Sequence, residues 1–141
     1  LFAFLITRAG VPDAIGRWLE AVLQSPMLFL LGVNAALFVI GMFIETSAAI
    51  IVLSPILAPV AMHFGIDPVH FGMIMVVNLC IGLCTPPVGS LLFVGVSIAK
   101  ISLTQVLRPL LPFFLAMIIA LALITLFPEI TLALPRFFGL I

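Results

Sequence analysis

The chain has 141 residues, of which 65% are hydrophobic and 7% charged, and its mean hydropathy is +1.52. A soluble domain of this size carries about a quarter charged residues, so composition places the chain among integral membrane proteins, in contact with lipid. Five basic and five acidic residues leave no net charge, which gives a nucleic-acid partner no electrostatic footprint.

In chain order, residues 1–8 read as the tail of a spanning helix. The sequence opens without Met inside an apolar segment, so it is expected to be the C-terminal portion of a longer membrane protein. No basic stretch with an A-x-A cleavage pattern stands there, and a signal peptide is not expected. Ala9-Gly10-Val11-Pro12-Asp13 is a break. Beyond it Ile15, Trp18, Leu19, Val22 and Leu23 recur at helical spacing over residues 14–23. That stretch is too short for a bilayer that needs about twenty residues, so it is expected along the interface, with Trp18 at headgroup level. Residues 1–25 thus form one unit.

An uncharged run covers residues 21–44, and a second apolar stretch, interrupted by Pro55 and Pro59, covers residues 48–64. Only the turn around Glu45-Thr46-Ser47 separates them. Two topologies fit residues 26–64. Both arms cross and leave Glu45 at the far surface, or they form a re-entrant hairpin whose tip stops near the midplane. Hydropathy alone does not choose.

Gly65-Ile66-Asp67-Pro68 is a surface turn with helix-start chemistry. Between Asp67 and Lys100 no residue is charged. Backbone in lipid must satisfy its own hydrogen bonds and should be helical, yet Pro86 and Pro87 remove two donors. Residues 69–99 are therefore expected to form a discontinuous helix, broken at Gly82-Leu83-Cys84-Thr85-Pro86-Pro87-Val88-Gly89. Irregular backbone at membrane depth is tolerated where protein buries it or where it lines a site. The loop at residues 100–108 holds Lys100 and Arg108 and no acid, so it is expected to be cytoplasmic, with both charges as topology determinants. Residues 105–127 are the last span, its uncharged stretch running from Pro109 to Phe127 with Pro112 near the entrance, where a first-turn proline is tolerable. Residues 128–141 are an interfacial tail, periplasmic by the same rule.

Glu45 is the sharpest chemical signal, because a carboxylate embedded in an apolar segment is a functional candidate by default. It fits a cation ligand or a proton carrier; it also fits a cap on the second arm at a wet turn. Gly41, Thr46 and Ser47 add flexible backbone and hydroxyl oxygens, and Thr85 repeats that chemistry at the second break. Gly82 and Gly89 let another backbone approach closely. Asn78, the one amide of its helix, ligates, positions the loop, or makes a plain interhelical hydrogen bond. Cys80 and Cys84 read as packing residues, and His63 and His70 stand too far from other ligand types for a transition-metal site. No nucleophile–base arrangement or phosphate loop is present, so no enzyme and no cofactor are expected.

Gly41-Met42-Phe43-Ile44-Glu45-Thr46, Pro55-Ile56-Leu57-Ala58-Pro59, the run from Gly65 to Gly72, and Gly82 to Gly89 resemble the C-terminal region of the DctM-type large membrane subunit of tripartite ATP-independent periplasmic (TRAP) transporters. The likeness covers essentially the whole chain, including Leu134-Pro135-Arg136. It implies an all-α integral membrane fold, the second inverted repeat of an elevator-type ion-coupled transporter. Residues 26–64 would be the re-entrant hairpin, 69–99 the discontinuous helix and 105–127 a closing scaffold span. It further implies sodium-coupled import of carboxylate solutes across the bacterial inner membrane. A periplasmic solute-binding protein and a small membrane subunit, separate or fused, would be the partners. Carried over by motif, the cation site takes Gly41, Glu45, Thr46, Thr85, Pro86, Pro87 and Gly89, and the substrate site Ser47, Asn78 and Thr85. The family's tip acid is often Asp, and Glu45 stands there with a longer side chain. A proton-coupled carrier using Glu45 and a purely structural membrane subunit remain the competing expectations.

Overall fold

The computed structural model describes residues 8, 10, 14, 15, 17, 25–86 and 89–139. Apart from those first few positions, the expected spanning tail and the interfacial arm with Trp18 lie outside the described residues. From residue 25 onward the described residues form helices α1 (Pro26–Phe43), α2 (Thr46–His63), α3 (Pro68–Leu83), α4 (Ser90–Ala99), α5 (Leu103–Leu126) and α6 (Glu129–Phe137). The fold is all-helical, and α1, α2 and α5 are long and apolar enough to cross a membrane.

Local chemistry sets the helix starts. Ser25 caps α1, its Oγ accepting the Leu28 N–H at 3.2 Å, and Pro26 occupies a position where the missing N–H is harmless. Asp67 and Pro68 repeat the device at α3, with Asp67 Oδ1 accepting from Val69 N at 2.8 Å. At α5 the start differs from expectation. Ser102 and Gln105 form a capping box, so the helix begins at Leu103. Arg108 therefore stands on the helix and not in a loop, and Pro109 and Pro112 lie inside it and not in its first turn. Each proline removes the ladder donor to the carbonyl four residues back, at Gln105 and Arg108. The tail beyond residue 128 is also helical over α6.

Helix α3 is the centre of the molecule. Both hairpin arms pack more extensively on α3 than on each other. The core around it holds Phe29, Leu37, Phe71, Ile74 and Leu79, all almost fully buried. Phe64, just past α2, stacks on Phe29 near the start of α1 with ring centroids 4.8 Å apart, so the two arms return to one end. Helices α1 and α3 run parallel in a steady register. Phe29 lies 6.2 Å from Phe71, Asn34 is bonded to Asn78, and Gly41 packs on Gly82. Helix α5 runs the other way, with Thr125 accepting from Asn34 Nδ2 at 3.1 Å and its first turns facing Thr85.

Candidate functional site

The parallel register places the C-terminal ends of α1 and α3 at one depth. Two glycines make that meeting possible. A Cβ on Gly82 would stand 2.8 Å from the Cα and carbonyl carbon of Gly41, closer than real Cβ contacts occur. A Cβ on Gly41 would meet the Leu79 carbonyl oxygen at 3.0 Å. The tip residues Ile44 to Ser47 and the break at Cys84 to Gly89 therefore follow directly from a backbone-to-backbone contact. Helix C-termini carry partial negative charge on unpaired carbonyls, so two parallel helices ending together present that charge twice.

The tip is short. Ile44 closes α1, its N–H donating to the Ile40 carbonyl at 2.9 Å, and Glu45 at once caps α2. One Glu45 oxygen accepts the Ala48 N–H at 3.1 Å and the other accepts the Ser47 hydroxyl at 2.9 Å. Glu45 and Ser47 are exposed, while Thr46 is partly buried. The Thr46 Oγ1 atom is buried and has no hydrogen-bond partner among the described residues. A buried hydroxyl without a partner costs roughly 1–3 kcal/mol.

At the break, Cys84 ends α3 and Thr85 turns its hydroxyl back onto the Ile81 carbonyl at 2.7 Å. With its proton so committed, the Thr85 oxygen keeps its lone pairs for a donor or a cation. Gly89 restarts the chain as the cap of α4 with φ +36°, in the left-handed region, and a Cβ there would meet the Thr85 carbonyl oxygen at 3.0 Å. The two ends of the break are thus folded against each other. Pro87 lies outside the described residues. Among the described residues no cluster of His, Cys, Asp and Glu could hold a metal ion through those ligands alone.

Asn78 sits apart from tip and break, wholly buried, about two turns earlier. Its Nδ2 donates to the Asn34 carbonyl at 2.9 Å and to Asn34 Oδ1 at 2.6 Å, while Asn34 Nδ2 reaches Thr125. A second link joins α3 to α6, where His70 Nδ1 and the Thr131 hydroxyl lie 2.7 Å apart in the core. Sequence reading did not single out Asn34, Thr125 or Thr131. Their one signal was that each is a polar residue in an apolar helix or at its end. A cavity of about 480 Å³ opens between the break and the first turns of α5, lined by Thr85, Pro86, Thr104, Arg108, Leu111 and Phe114 among others.

The described helices thus set a two-helix hairpin beside a helix break, an arrangement that membrane carriers use at their binding sites. Residues 1–130 match the model of the family described as "Tripartite ATP-independent periplasmic transporter, DctM component", and the chain belongs to that family. It is 44% identical to the C4-dicarboxylate TRAP transporter large permease protein DctM of Pseudomonas aeruginosa, over 99% of this chain and 33% of that protein. Identity is 41% to the isethionate TRAP transporter permease protein DctMQ of Oleidesulfovibrio alaskensis, over 99% of this chain and 21% of that one. To the sialic acid TRAP transporter large permease protein SiaM of Vibrio cholerae it is 38%, over 98% of this chain and 32% of the relative. The chain thus spans a third or less of the length of these curated relatives. The family consists of transporter components, not enzymes.

Proposed function

We propose that the chain is the second repeat of a TRAP large permease in the bacterial inner membrane, and that its hairpin tip and helix break hold the coupling sodium ion. One observation carries the reading: α1 and α3 run parallel and end together at the Gly41–Gly82 contact. Their carbonyl ends, the unpartnered Thr46 hydroxyl and the lone pairs of Thr85 are all hard oxygen ligands converging on one depth. Glu45 supplies negative charge beside them. Because it serves as an N-cap acceptor, it organises the tip and is not spare for carrying a proton. Gly41 and Gly89 act through backbone, and Pro86 and Pro87 lack the N–H donors that a continuous helix needs.

The same geometry supports a hairpin that stops inside the membrane. The Asn34–Thr125 bond sets α1 and α5 at one level. From there α1 continues about 14 Å to Phe43, whereas α5 continues about 33 Å to Leu103, at 1.5 Å per residue. Along the helices α1 is thus the shorter by about 20 Å, while α5 comes back toward the break, where Thr85 shares a cavity with Thr104 and Arg108. Ion binding orders the tip against the break, and alternating access follows from movement of the loaded unit. Ser47, Thr85 and, through its position in the same helix, Asn78 belong to the solute side of this unit.

The relatives' named solutes are C4-dicarboxylates, sialic acid and isethionate, which share an oxyanion group as carboxylate or sulfonate. We take the solute to be such an oxyanion, presented by a periplasmic binding protein, with a small membrane subunit completing the assembly. The test is uptake into proteoliposomes by the full-length transporter that carries this chain, with its binding protein and small subunit. Succinate, sialic acid and isethionate serve as labelled probes, and sodium is varied at fixed pH. Sodium-driven uptake whose half-saturation rises about tenfold in Thr85→Ala and in Thr46→Val supports the site. Uptake that ignores sodium, follows a pH gradient and stops only in Glu45→Gln overturns it.

A further inference from the structure

We infer that Arg108 is a binding residue for the oxyanion of the transported solute, on the side of the break facing the start of α5. The inference rests on the proposed uptake of an oxyanion and adds the residue that receives it. Sequence position alone makes Arg108 a topology determinant in a basic loop. The structure instead sets it on helix α5, with Thr104 one turn before and Leu111 a turn after, on the wall of the cavity that Thr85 and Pro86 close from the other side.

Three features point to an anion. The first is charge: Arg108 has no ion-pair or hydrogen-bond partner among the described residues, whereas Arg136, the other arginine in this half of the chain, is paired with Glu129 at 2.8 Å. The second is surroundings. Apart from Arg108, the wall consists of two threonine hydroxyls, Pro86 and apolar side chains, and it includes no carboxylate. Arg108 is exposed on this largely apolar wall, so its guanidinium fork is open to a bidentate oxyanion, whether carboxylate or sulfonate. The third is size and place. A cavity of about 480 Å³ holds a small organic acid and begins at the break where the cation ligands stand. Thr85 shares both the cavity and the cation ligands, so solute anion and cation neutralise one another across a single residue. That juxtaposition gives each a reason to bind only with the other.

The test uses the full-length transporter with its binding protein and small subunit, and the probe among succinate, sialic acid and isethionate that the wild type carries best. Uptake is measured for Arg108→Gln and Arg108→Lys, with KM for solute and half-saturation for sodium determined separately. The expected result for Arg108→Gln is a KM raised about tenfold or more, with sodium half-saturation at saturating solute unchanged within about twofold. Arg108→Lys keeps the charge but loses the fork, and its KM should rise about threefold. A KM for Arg108→Gln within about twofold of wild type overturns the inference. Where Arg108→Gln fails to insert or to run as a single species, Arg108→Lys decides, because it keeps the charge that sets topology. A rise of about threefold supports the site, and a KM within about twofold of wild type rejects it. A wild type that carries none of the probes with sodium fails the proposed function itself, which separates that failure from this one.

Discussion

At the scale of the residue, the contact between Gly41 and Gly82 holds the site together, and it is testable without any assay of transport. A methyl group on Gly82 meets the backbone of α1, with atoms of Gly41 at 2.8 Å and the Phe38 carbonyl oxygen at 2.9 Å. Backbone cannot rotate away as a side chain can, so α1 and α3 must separate. Gly82→Ala should cost about 1–3 kcal/mol or more and lower the melting temperature of the detergent-purified transporter. Gly72 in the same helix is the control, since a Cβ there meets no atom of the described residues within 4 Å. Gly72→Ala should leave the melting temperature unchanged or raise it, through the better helix propensity of alanine. Equal losses at both positions would mean that glycine acts through backbone freedom, not through close approach. The bearing on function is direct, because parting α1 from α3 parts the two carbonyl ends that are to share a cation.

At the scale of the element, polar residues fix the level at which apolar helices meet. Leu against Leu packs equally well one turn up or down, whereas Asn34 must find both Asn78 and Thr125. Thr125→Val removes the acceptor of Asn34 Nδ2 and should destabilise the transporter by about 1 kcal/mol. Combining it with Asn34→Leu should cost less than the two single changes added together, and a double-mutant cycle read by thermal unfolding measures that coupling. Strict additivity would deny the link between α1 and α5. This network also marks what the sequence could tell. The break at Thr85 was legible because adjacent prolines forbid a helix in any context, and the tip because Glu45 interrupts an apolar run. The partners of Asn78 were not, since nothing local says which of several apolar helices it faces. The start of α5 was misplaced for a local reason: Pro109 and Pro112 read as a helix entrance, but the capping box at Ser102 and Gln105 nucleates the helix earlier. Arg108 was consequently read as a loop charge.

At the scale of the whole molecule the question is depth, and the described helices set it against one another without any reference to lipid. Ser25 and the turn at Gly65 lie at one end, joined by the stacking of Phe29 on Phe64, and Thr125 lies toward that end as well. Ser102 lies at the other, one α5 length away, about 36 Å at 1.5 Å per residue. The re-entrant hairpin and two full crossings differ in where the tip sits between these ends, and a measurement of accessibility separates them. With Cys80 and Cys84 replaced by serine, single cysteines at Ser25, Ser47 and Ser102 are labelled in sealed vesicles by a membrane-impermeant maleimide. Positions 25 and 102 should react quickly, from opposite faces. Position 47 should react about tenfold more slowly than either from its own accessible face, and more slowly again in sodium, as a cation draws the tip onto the break. Rapid labelling of position 47 from the same face as 102, indifferent to sodium, would place Glu45 at a wet surface turn. In that case the carboxylate would be only a helix cap, the shared depth of tip and break would have no ion to explain it, and the carrier mechanism would have to rest on the break alone.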